Sequence, residues 1–343
     1  MIRTPPRRGL RSVFAAAALL LACESAAAVE NKVTLPVNLS VNVWESTGGS
    51  TWSSDVSAFE PRFGNPTSRL DYEGVDSTIV ELRMKIGLPR GFEADLAYGA
   101  GDAEDGRLID QDLLSAQGAA SFGIPERGAH VYSEAASDLN GDTVWYFDIK
   151  LNKELFRSAD DETRTGAGIR YLDWNEQYRA RGVTQTICTL PDRLCLPAGF
   201  SGFNDRDAIT NDARWRALFL GAWLSRRFGE RFSLSGAVAY SPLADLASDD
   251  RHFLRADLSQ SPSFRLTGTG QAAALEIDAA YALTPRLSAG IGFRYWWMEV
   301  RNEEGGFAVF PAGGEPLGAL LRQFESERYG VILNLAYRFG PIN

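Results

Sequence analysis

The chain has 343 residues, a formal net charge of −9, and 23% charged against 45% apolar residues. An acidic balance of this size argues against nucleic acid as a partner. Three cysteines are too few for a disulfide-built scaffold or a cysteine metal site, and the apolar run near the start is too short to cross a bilayer as a helix.

The first 28 residues read as a secretory leader. Arg3, Arg7, Arg8 and Arg11 form a basic start, Val13 to Ala22 is apolar, and Ala26-Ala27-Ala28 is a small-residue cleavage site. A rival reading takes Leu20-Leu21-Ala22-Cys23 as a lipobox with a lipidated Cys23, although Leu21 is bulky for that role. Cleavage removes four arginines and one glutamate, which takes the net charge from −9 to −12.

Residues 29–343 read as one domain of ten strands, because apolar residues alternate with small or polar ones at a period of two. The first strand sets Val33, Leu35, Val37, Leu39, Val41 and Val43 against Thr34, Pro36, Asn38, Ser40 and Asn42. The second (69–87) opposes Val80, Leu82, Met84 and Ile86 to Glu81, Arg83 and Lys85, and the third (91–101) opposes Phe92, Ala94, Leu96 and Tyr98 to Glu93 and Asp95. The fourth (142–153) opposes Phe147, Ile149 and Leu151 to Asp148 and Lys150. The fifth covers 164–181, the sixth 211–228, the seventh 232–240, the eighth 263–283 and the ninth 287–297. The tenth carries Tyr329, Val331, Leu333, Leu335, Tyr337 and Phe339 on one face, against Arg328, Asn334 and Arg338.

Strands with a greasy outside and a charged inside suit lipid, where only a closed barrel leaves no unpaired edge. The fold class that follows is all-β: a ten-stranded antiparallel transmembrane β-barrel in the bacterial outer membrane. Several strands exceed the roughly 9–11 residues needed to cross, so the barrel is expected to protrude above the membrane. Glu81, Arg83, Glu93, Asp95, Asp148, Glu276, Asp278 and Arg294 are expected to fill a narrow lumen, which disfavours a diffusion channel. Long connections are expected at 45–67, 102–141, 182–210, 241–262 and 302–325, facing the exterior, with short turns facing the periplasm.

Two of those connections carry the chemistry. One contains Asp110-Gln111-Asp112 and another Asp250-Arg251-His252. In extended backbone, residues i and i+2 share a face, which pairs Asp110 with Asp112 and Asp250 with His252. Two carboxylates facing an Asp–His couple are able to hold one water, with His252 as base and Asp250 fixing its tautomer. Both spacings are also ordinary in solvated acidic loops. Cys188 and Cys195, with six residues between them, are expected to form a disulfide in an oxidising envelope. Nothing in the chain indicates a metal or an organic cofactor.

Ser68-Arg69-Leu70-Asp71-Tyr72, followed by Asp110-Gln111-Asp112 and then Asp250-Arg251-His252, resembles the omptin family of outer-membrane proteases in order and spacing. The resemblance implies a ten-stranded barrel that cleaves exposed peptides or proteins, with catalytic Asp110, Asp112, Asp250 and His252. It also implies a requirement for lipopolysaccharide, bound outside the barrel by Tyr171 and Asp173 together with Arg214 or Arg216. The chain departs from the family pattern in two places. Asn175 stands where the family's lipid-binding element has a cation, and Ser248 stands where the family has an acid for basic substrates, leaving Glu45 as the other candidate for that pocket. The alternative function is a catalytically silent barrel, an adhesin or a structural protein.

Overall fold

The computed structural model describes residues 35–124, 130–140, 142–190, 194–301 and 305–340. The leader, its cleavage site and Cys23 lie outside the described residues. Among the described residues, twelve strand segments form one antiparallel sheet: β1 (Val37–Asp55), β2 (Phe63–Leu88), β3 (Phe92–Leu114), β4 (His130–Leu139), β5 (Asp142–Arg157), β6 (Thr163–Cys188), β7 (Ser201–Phe228), β8 (Phe232–His252), β9 (Phe264–Ala282), β10 (Leu287–Arg301), β11 (Gly305–Val309) and β12 (Leu317–Phe339). A short helix, α1 (Ala116–Ser121), follows β3.

Both β4 and β5 pair with β3 and β6, so they are two pieces of one stave. In the same way β10 and β11 share β9 and β12 as neighbours. The result is ten staves, closed where β1 meets β12 from Val37↔Phe339 up to Asp55↔Leu320. Closure removes the open edges that an antiparallel sheet otherwise exposes.

The strands run much further than the alternation of apolar residues indicates. β1 continues to Asp55, β3 to Leu114, β6 to Cys188 and β8 to His252. Most of the segments expected to be loops are therefore strand, and the two acidic motifs sit on β3 and β8. The reason is a change of surroundings along each stave. Lower down, one face is apolar. Higher up, both faces are polar or mixed, so the hydropathy signal fades while backbone pairing continues. Short turns close the lower end: Pro89–Gly91, 158–162, 229–231 and 283–286. In one of them Gly229 adopts φ +64°, which a residue without Cβ takes at no steric cost.

The lower outer wall is apolar and bare: Leu220 is 68% exposed and Val238 57%, too greasy a belt for a surface in water. The interior reverses this. Arg294 lies 2.9 Å from Glu81, Arg170 2.8 Å from Asp148 and Lys150 2.7 Å from Glu276, with Arg83 among the same acids. Above this ladder Trp44, Tyr146, Trp174 and Trp296 fill the cross-section, with Trp296 4.8 Å from Tyr146 and 5.0 Å from Trp44 between ring centroids. Gly99 makes room for Tyr146, since an added Cβ would sit 2.5 Å from its Cε1. A cavity of about 800 Å³, lined by Lys85, Asp278 and Arg338 among others, opens below the ladder at the short-turn end. The aromatic plug above it forms the floor of a cleft at the other end.

Candidate active site

Two walls supply the cleft. Around the barrel, β3 is the third stave and β8 the seventh of ten, so residues on their inner faces look across the lumen at one another. On β8, Ser248, Asp250 and His252 alternate inward and are buried, while Asp249 turns outward to bind Arg265 at 2.8 Å. On β3, Asp110 lies beside Leu70 of β2, and Asp112 beside Ser68.

The Asp–His couple is tightly framed. His252 Nε2 is 3.0 Å from Asp250 Oδ1. This is an ion-pair approach through which the Asp250 carboxylate acts directly on the ring. Phe264 meets the imidazole edge-on at 4.8 Å between centroids. The backbone is held as well: His252 N donates to Ser263 Oγ at 2.9 Å, and Ser263 N donates to the Asp250 carbonyl at 2.9 Å. The other oxygen of Asp250 faces Asn211 Nδ2 at 3.3 Å and the Tyr72 hydroxyl at 3.5 Å.

Asp110 is half-buried, but its Oδ1 is sealed from solvent and, among the described residues, unpartnered. Burial pushes this carboxyl up to about 7. The charges of Asp112 and Asp250 add to the rise, and His252 and Arg255 oppose it. Burial also raises Asp112, against a Ser68 hydrogen bond and the cations Arg255 and His252. For His252, burial works to lower its pKa, but Asp250 and then Asp110 overcome that and leave it raised. The four groups thus share one electrostatic environment across the cleft. Around neutral pH Asp110 holds part of a proton that an ordinary aspartate would have lost, within the field of the His252 imidazole. Such a set can take a proton from a water and return it elsewhere.

The other candidates fall into two groups. Ser248 joins the cleft and accepts from Asn211 Nδ2 at 3.0 Å. Glu45 does not join it: the side chain points outward, is exposed, and accepts from Thr78 Oγ1 at 2.8 Å. Trp44 and Ser46 hold the inward positions at that height. On the outer wall Tyr171, Asp173, Arg214 and Arg216 are brought together, with Arg214 bound bidentate to Asp173 at 2.7 and 2.6 Å and stacked over Trp145 at 5.3 Å. Cys188 and Cys195 form a disulfide that fastens the upper end of β6. Three residues in the cleft had no role assigned from sequence: Tyr72, Asn211 and Arg255. Only Tyr72 carried a signal, since Ser68, Leu70 and Tyr72 share one face by alternation.

No protein-family model matches the chain, and no curated protein sequence matches it. Among solved structures, the outer membrane protease OmpT from Escherichia coli is similar over 90% of this chain and 99% of that one, at 15% identity and a TM-score of 0.69. The translocator domain of the autotransporter NalP from Neisseria meningitidis covers 96% of this chain and 98% of its own, at 12% identity and a TM-score of 0.34. A Pseudomonas aeruginosa FadL homologue covers 90% and 91%, at 9% identity and a TM-score of 0.27. At 15% identity the likeness to OmpT is one of fold.

Proposed function

We propose that this chain is an omptin-type endopeptidase of the bacterial outer membrane, secreted through a cleaved leader at residues 1–28, with its cleft facing the exterior. The observation that carries the reading is the meeting, across one cleft, of the Asp250–His252 couple with the Asp110–Asp112 pair. The apolar belt and filled lumen support a lipid-embedded barrel that is not a channel. The fold shared with a structure described as an outer membrane protease points the same way.

In this reading a water sits between the carboxylate pair and the imidazole. His252 takes a proton as the water oxygen attacks the peptide carbonyl, and Asp250 balances the imidazolium that forms. The proton then passes to the leaving amine, with no covalent intermediate. The test is peptide-library cleavage by refolded protein, with and without lipopolysaccharide. Cleavage that requires the lipid fits the proposal, and an intact library under both conditions returns the chain to the silent-barrel alternative.

The pH dependence has a defined sign. His252 works only when unprotonated, and its pKa is raised from the usual 6.5. Activity is expected to rise with pH through a midpoint above that value, each unit below it removing about tenfold. A kcat/KM profile flat down to pH 5 contradicts the assignment.

For the outer wall, Arg214→Ala and Arg216→Ala are expected to raise the lipopolysaccharide concentration needed for half-activation by about tenfold each, the size of one lost charge-assisted hydrogen bond. An unchanged titration removes these arginines from the lipid site.

A further inference from the structure

We infer that the wall beside the dyad seats an uncharged side chain, and turns away lysine and arginine, at the residue next to the bond that is cleaved. The inference rests on the endopeptidase reading above and names its substrate class.

A cationic side chain drawn out of water needs a carboxylate to meet it. In the upper half of the barrel the buried carboxylates besides Asp250 are, among the described residues, Asp55, Asp173, Glu176 and Glu299. Each already holds an arginine: Arg322, Arg214, Arg328 and Arg301 respectively. Asp110, Asp112 and Asp250 belong to the reacting centre. Among the described residues, no buried carboxylate remains to receive a substrate cation.

The wall around the dyad is instead neutral and polar. Ser248, two residues before Asp250, carries a hydroxyl, and Asn211 bridges it to Asp250. Trp215 Nε1 donates to Ser326 Oγ at 3.1 Å, and Ser326 pairs with Ser50 across β12 and β1. Trp52 lies against Phe264, the ring that abuts His252. Ser50 Oγ, Trp52 Nε1 and Asn211 Oδ1 are buried and, among the described residues, without hydrogen-bond partners. They are uncharged groups suited to small, polar or apolar side chains.

Cations stand on either side of this wall. Arg328, two residues from Ser326 and fully buried, faces inward. At the mouth Arg255 is bound to Asp257 at 2.8 and 2.7 Å, and its charge reaches Asp112, Asp110 and His252. An incoming lysine would find, among the described residues, no free buried carboxylate outside the reacting centre to meet it. The chain's net negative charge acts at longer range and steers approach rather than seating.

The test is a set of otherwise identical peptides with Ala, Ser, Leu, Arg or Lys at that one position. Refolded wild-type protein and Ser248→Asp are each assayed with lipopolysaccharide at physiological salt. Wild type is expected to cleave the Ala, Ser and Leu peptides with kcat/KM about tenfold or more above Arg and Lys, the lower end of what one buried polar group left unpaired costs. Ser248→Asp is expected to shift that ratio toward Arg and Lys by a similar factor. Equal or better wild-type cleavage of Arg and Lys overturns the inference and leaves the endopeptidase reading standing. If wild type cleaves neither this set nor an unbiased library, the endopeptidase reading falls and the inference falls with it. If Ser248→Asp fails to fold, the wild-type ranking still decides.

Discussion

Replacing His252 with alanine is expected to lower kcat/KM for peptide cleavage by roughly 10²–10⁴-fold, the usual contribution of a positioned general base. Substrate contacts elsewhere in the cleft are untouched, so the loss should fall on kcat and leave KM nearly unchanged. Asp250→Asn should follow in the same direction, because the amide keeps the shape and the contact with Asn211 but removes the charge facing Nε2 at 3.0 Å. The fold should survive both changes. The ring lies at the upper end of β8, far from the ion-pair ladder, and the backbone there is fixed independently through Ser263. Kinetics on refolded, lipid-inserted variants provide the check. Cleavage by His252→Ala at wild-type rate would remove the imidazole from the reaction.

The largest expected effect on stability lies just below the cleft. Arg328→Ala is expected to destabilise the barrel by about 3–5 kcal/mol, the penalty for leaving one member of a buried ion pair alone. Arg328 and Glu176 are both 0% exposed and 2.9 Å apart. The same guanidinium also donates to Ser77 Oγ at 2.6 Å, to Ser46 Oγ at 3.2 Å and to the Val75 carbonyl at 3.3 Å. Its loss would strand one carboxylate and several acceptors where water does not reach. Changing both partners to apolar residues, Arg328→Met with Glu176→Leu, should recover most of the loss, since the pair's attraction is largely offset by its own desolvation. Chemical unfolding in detergent micelles measures both. A single variant as stable as wild type would mean that the pair is solvated.

How much of this was legible in the sequence depends on height in the barrel. The lower staves announce themselves because one face is apolar and the other charged, as in Phe147, Ile149 and Leu151 against Asp148 and Lys150. The upper staves do not. Residues 102–112 read Asp-Ala-Glu-Asp-Gly-Arg-Leu-Ile-Asp-Gln-Asp, polar on both faces, and nothing local separates such a strand from a loop. The strand before the break between β4 and β5, His130–Leu139, is equally silent, although the turn signal Asn140-Gly141 after it is plain.

The acidic pairs were visible by spacing, but their meeting was not. It depends on which staves oppose each other and on aromatics that hold the walls at the right separation. Glu45 shows the limit of matching by position alone. The alternation that sends Val41 and Val43 outward sends residue 45 outward too, and the register confirms it. Asn211 opens a predicted strand with no mark of its role. It matters because β7 lies in register with β8, opposite Asp250.

The most direct test compares wild type with one variant carrying Asp110→Asn, Asp112→Asn, Asp250→Asn and His252→Ala, both refolded into lipopolysaccharide and incubated with the same peptide library. The account predicts cleavage by wild type, none by the variant, and the same folded barrel for both. Equal cleavage by the two, or none by either, would contradict it.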